Sequence, residues 1–295
     1  MTIYIKQLSC CILVCLSLFF STSALSDSIK FEMATPSYTE THANTLDQEI
    51  FQTISDYAIF EKLDQFVDKN LKWDQQITFS FQHEMPTFNT PNIEQISSNS
   101  SSTVVIPFEF LRTLHQNVKL KYPQQVEVRN SIFASAVEKH LWFEFGRLIV
   151  NKFQLNIPGK ETYLLDYFST LMLLNVSDID SEYLLDATET YLLVNQSLHS
   201  VNQSSHANEI EMDESRYRLV VCLILGKDLN VNNANQLSHS EPFLDLLSDF
   251  SWGEKRLNQC IKLYRQKMLV WFEALSPHLK DSNQFKKWLE AEQIS

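Results

Sequence analysis

The chain has 295 residues, 44% of them hydrophobic, enough for one large domain with a sizeable core. Its four glycines, at 146, 159, 226 and 253, argue against glycine-rich phosphate loops and turn-rich β architectures and suit a helical fold. A net charge of −12 argues against nucleic acid as a partner, because that affinity comes mainly from Lys and Arg against phosphate.

The N-terminus has the pattern of a secretory signal. Lys6 supplies the positive region, residues 11–20 the apolar run, and Thr22-Ser23-Ala24 or Ala24-Leu25-Ser26 the small residues for cleavage. The run is too short and too weakly flanked to read as a membrane span, so none is expected in the mature chain, with an uncleaved anchor as the alternative reading. Residues 1–26 are therefore expected to be removed, and the protein to be exported to the periplasm or medium. Cys10, Cys11 and Cys15 leave with the signal, and Cys222 and Cys260 remain. Two cysteines in an oxidising compartment are most simply one disulfide, with two buried free thiols as the alternative.

Residues 27–44 are polar and read as a flexible lead, and 45–295 as a single domain. Apolar residues near helical spacing, from Ile50 to Phe66, predict one helix over 46–71. Alternation at 77–81 predicts a strand, and 103–106 a second β-like run. Between them, Pro86, Pro91 and a serine-rich stretch over 85–102 read as a loop. Helices are predicted at 108–120, 128–153, 161–174, 181–198, 210–225 and 255–275, with a polar loop at 199–208. Gly226 suits the position just past the end of a helix. The expected fold is α+β and mainly helical: a small N-terminal sheet packed on a helical core.

One helix carries chemistry. His140, Phe143, Glu144, Arg147 and Asn151 fall on one face of the 128–153 helix, away from Val137, Leu141, Phe145 and Leu148. Residues 143–147 read Phe-Glu-Phe-Gly-Arg. A zinc-protease helix carries His-Glu-x-x-His, two imidazoles one turn apart on the metal and a Glu as general base. Here Glu144 stands where the base would be. Phe143 and Arg147 stand where the imidazoles would be, and neither can donate a lone pair.

With these residues the chain resembles a bacterial family of exported zinc-metallopeptidase-like proteins, a domain of unknown function of the His-Glu-x-Gly-His, gluzincin-like type. Glu144 and Gly146 match its motif; Gly159, Glu161, Asp166 and Phe168 match a second block. Ser215-Arg216-Tyr217, Cys222, Cys260, Trp271 and Pro277 match the family's C-terminal segments. The resemblance implies a metalloprotease-like core. It implies a third zinc ligand where Thr162 stands, with Glu161 beside it, and an oxyanion-binding His where Ile210 stands. It also implies one disulfide lost, near His83-Glu84 and Pro107, and one kept.

Three readings of the Glu144 face stay open. The leading one is a catalytically silent relic without metal or cofactor. Glu144 there pairs with Arg147 or another cation, Asp166, Glu161, His140 and Arg216 line the cleft, and a peptide or protein partner binds. The second is an active zinc-dependent hydrolase rebuilt around His140, Glu144 and Glu161. The third is a helical exported protein unrelated to peptidases.

Overall fold

The computed structural model describes residues 29–33, 45–82, 101–177, 179, 181–200, 206–232 and 253–291. Three parallel strands, β1 (Ile29–Met33), β2 (Gln76–Gln82) and β3 (Ser101–Pro107), form one sheet in that order. Ile29 pairs with Ile77 and Met33 with Phe81; Gln76 pairs with Ser101 and Gln82 with Pro107. In β2, Ile77, Phe79 and Phe81 are buried, and so are Thr78 and Ser80. Burial of both faces is what a parallel sheet covered by helices requires. Residues 29–33 lie in the segment expected to be a flexible lead. Their sequence, Ile-Lys-Phe-Glu-Met, alternates over only five residues, and pairing with β2 makes them a strand.

Helices α1 (Thr45–Asp56) and α2 (Ile59–Asn70) replace the single expected helix. Ala58 breaks it with φ 48° and ψ 40°, a left-handed conformation that an L-residue adopts at a cost of about 1–2 kcal/mol. The turn lets Ile50 and Ile54 on one helix and Ile59 and Leu63 on the other all reach the core. Phe81 of the sheet meets Phe51 of α1 at 5.6 Å and Phe60 of α2 at 5.8 Å, both edge to face.

Next come α3 (Phe108–Lys121), α4 (Val126–Phe153), α5 (Glu161–Asn175), α6 (Ser181–Ser200), α7 (His206–Asn232) and α8 (Glu254–Leu275). The 28-residue α4 is the centre of the molecule, packed on α1, α2, α3, α5 and α6. Its residues 132–139 and 141–146 are all buried. Gly146 permits the closest approach, since a Cβ there would lie 2.6 Å from Phe168 on α5.

Gly226 does not end a helix. It lies inside α7, which runs six residues further, and an added Cβ would sit 2.3 Å from the carbonyl oxygen of Cys260 on α8. Glycine is needed there because two helix backbones cross. Beside that crossing Cys222 and Cys260 form the expected disulfide, with Cα atoms 4.9 Å apart. Of the expected loop at 199–208, residues 199–200 belong to α6 and 206–208 to α7, and 201–205 lie outside the described residues.

α8 does not close the fold. A 3₁₀ turn (Ser276–His278) comes after it, Leu279 bridges Leu71, and α9 (Ser282–Ala291) comes last. No helix among the described residues is long and apolar enough to cross a membrane. The expected signal, His83-Glu84 and residues 85–100 of the serine-rich loop lie outside the described residues, while Ser101 and Ser102, the last two of that loop, are strand residues of β3 paired with β2.

Candidate functional site

Gly146 lets Leu165 and Phe168 of α5 pack closely on α4, and Glu161 at the start of α5 reaches Arg147 of the 143–147 segment. Glu144 is only 3% exposed. Its Oε2 accepts a hydrogen bond from Arg147 Nη1 at 2.9 Å, and Arg147 Nε donates to Glu161 Oε1 at 3.2 Å. One guanidinium thus bridges two carboxylates, one from α4 and one from α5. Burial pushes the Glu144 carboxyl up to about 7; Arg147 opposes that rise and Glu161 adds to it.

Phe143 is buried, its ring centroid 6.4 Å from that of Tyr191 on α6, and the Arg147 guanidinium carbon lies 5.4 Å from its centre. His140 does not join the acids. Its ring lies against Phe110 at 4.5 Å and Tyr191 at 5.9 Å, with Nδ1 buried and without a hydrogen-bond partner among the described residues. Burial first, and then Arg147, lowers the imidazole to about 3, so it stays neutral. Thr162 is half-buried beside Glu161, outside the Glu144–Arg147–Glu161 hydrogen bonds.

One turn deeper, Asp166 and Arg216 are brought together. Arg216 donates from Nε to Asp166 Oδ2 at 2.6 Å and from Nη2 to Oδ1 at 3.1 Å, with both side chains buried. Sequence reading missed the residue that completes this layer. Lys139 is fully buried and donates to Thr170 Oγ1 at 3.0 Å and Ser169 Oγ at 3.4 Å. Burial lowers its ammonium to about 8, against the pull of Asp166. The only local signal was a cation set among apolar residues of a core helix. Tyr191, the wall shared by His140 and Phe143, left no local signal at all.

A family model described as "Putative metallopeptidase" matches residues 38–275. The chain belongs to that family. No curated protein and no solved structure matches it.

Family membership raises the question of zinc, and these side chains do not fit it. A catalytic zinc needs three protein ligands and an open position. Phe143 presents a ring where a nitrogen is needed. Arg147 brings a permanent cation within 2.9 Å of the one retained carboxylate. His140, Glu144 and Glu161 do not form an alternative set, because both acids hold Arg147 while the imidazole packs between aromatic rings. Among the described residues no three His, Cys, Asp or Glu side chains are grouped to hold a metal ion.

Proposed function

We propose that this member of the metallopeptidase family is catalytically silent and acts by binding a peptide or protein partner over its closed site. The observation that carries this reading is the Arg147 guanidinium held between Glu144 and Glu161. A dication brought to the same spot would meet a fixed positive charge in a poorly solvated setting, and like charges there repel strongly. Glu144 could still take a proton near neutral pH, but with no zinc-ligand set beside it among the described residues, no water would be acidified for it to deprotonate. The accessible part of the face is its rim, where Glu161 and Asn151 are exposed and Arg147 partly so. A partner would meet polar side chains there.

The test is zinc content and peptidase activity of the purified chain, beside the triple variant Phe143→His, Arg147→His, Thr162→Glu. The wild type is expected to carry no stoichiometric zinc, and the folded variant to gain zinc affinity. Zinc in the wild type, with activity lost on chelation and on Glu144→Gln, would overturn the reading. A folded triple variant blind to zinc would show that these three positions do not converge as a ligand set.

We also propose that the chain is exported and cut after Ala24 or Ser26. Lys6, the apolar run 11–20 and the Cys222–Cys260 disulfide support this. Intact mass of the secreted form is the check, and finding only full-length cytosolic protein would count against it.

A further inference from the structure

Helices α2, α5 and α8 each turn one stripe of residues toward a shared cavity of about 390 Å³. That volume lies within the range of small-molecule sites. None of the residues around Glu144 lines it, so it is separate from the relic site. Its walls are apolar, with Phe168 and Leu171 from α5 and Met268, Trp271 and Leu275 from α8. Phe168 and Trp271 hold their rings 4.7 Å apart. Met172 and Met268 add flexible side chains that adapt to an irregular occupant.

The cavity is built into the fold. At one end, Lys72 N–H donates to the His278 carbonyl and Lys280 N–H to that of Asn70, both at 2.8 Å, which ties the end of α2 to the chain after α8. At the other end, buried Glu138 accepts from Lys62 Nζ, Trp142 Nε1 and Ser177 Oγ. α2 is thus held in place over a gap rather than collapsed into it.

The rim has one sign of charge. Lys62, Gln65 and Lys69 succeed one another at helical spacing along α2, and among the described residues no acidic side chain lines the cavity. The acids of α2, Glu61, Asp64 and Asp68, are absent from the lining. In a chain of net charge −12 this is a local reversal. Lys69 is exposed and makes no ion pair among the described residues. Lys62, 34% exposed, shares its charge with Glu138 at 3.4 Å.

We propose that this cavity binds a single-chain amphiphile with an anionic head, of the aliphatic carboxylate class. The chain lies among Phe168, Met172, Met268 and Trp271, and the carboxylate meets Lys69 and Lys62. Charge complementarity favours this occupant over a neutral or cationic one.

The probes are octanoate, decanoate and dodecanoate, with dodecanol and dodecylammonium as controls. Each is titrated calorimetrically, below its micelle concentration, into the disulfide-bonded mature chain. Saturable one-to-one binding is expected, about fourfold tighter per added methylene until the cavity is full. Dodecanoate should bind more tightly than dodecanol, and dodecylammonium should bind weakest. Lys69→Glu, an exposed change that leaves the fold alone, should cost dodecanoate about tenfold and leave dodecanol unchanged. Met172→Trp, which fills the cavity, should abolish both. Absence of saturable binding, equal binding of carboxylate and ammonium, or dodecanoate binding indifferent to Lys69→Glu would overturn the proposal. If Met172→Trp does not fold, the Lys69→Glu comparison decides alone.

Discussion

Two charged clusters each combine side chains of α4 and α5, and they are unbalanced in opposite directions. Toward the surface, Arg147 is shared by two carboxylates, Glu144 and Glu161. Toward the interior, the carboxylate of Asp166 faces Arg216, which it binds in bidentate fashion, and the nearby ammonium of Lys139. In each cluster burial moves one group toward its neutral form. Glu144 is raised to about 7 and Lys139 lowered to about 8. A buried group that lacks a counter-charge of its own sheds its charge rather than bear the desolvation cost. The inner cluster is fixed by paired hydrogen bonds. The outer one is held by single bonds and ends in Glu161, whose side chain is 64% exposed.

The largest expected effect is on the inner side. Asp166→Ala removes both acceptors of a buried bidentate pair and should destabilise by about 3–5 kcal/mol in urea unfolding. A smaller loss than that caused by changing Glu161 would break the comparison.

The pH profiles sharpen it. Glu144 has a folded value of about 7 against an ordinary 4.5. Between those values the folded chain holds the extra proton, so stability is present at low pH and lost as pH rises through 7. Lys139 has a folded value of about 8 against 10.5. There the unfolded chain holds the extra proton, so stability is full above 10.5 and lost as pH falls through 8. Glu144→Gln should therefore remove a decline of about 2–3 kcal/mol between pH 5 and 8. Lys139→Met should remove a rise of similar size, about 2–3 kcal/mol, between pH 8 and 10.5. Profiles of each variant that run parallel to the wild type would show the proton accounting to be wrong.

The smallest effect belongs to the rim. Glu161→Gln breaks an exposed pair and should cost no more than about 0.5 kcal/mol. It should also bring the Glu144 midpoint down, because Glu161 is one of the groups holding it up. Paired stability curves of Glu161→Gln and the wild type across pH 5–8 read both.

What the sequence made legible was local. Alternation found β2, a short β-like run found β3, and helical spacing placed α3 to α6 within two residues at their ends. The same spacing put Phe143, Glu144 and Arg147 on one face. The misreadings involve long-range demands. Gly226 carried the local mark of a helix stop, yet it is glycine because α8 crosses there. Ala58 takes a left-handed turn without a residue type that favours it, because the core needs both flanking helices. The face of Glu144 was expected to open into a cleft. It is roofed by α5 and α6, and Tyr191, which does part of that roofing, lies 47 positions beyond Glu144 in the chain.

The bridge between Cys222 and Cys260 has a topological consequence. Thirty-eight positions separate the two cysteines, and the chain between them leaves α7 and returns in α8. A single proteolytic cut anywhere in that stretch yields two polypeptides that remain one molecule. Such a nicked protein would migrate intact on a non-reducing gel and separate into two bands only when a thiol is added. In an oxidising, protease-rich compartment, cleavage there and loss of the α8 end are separate events.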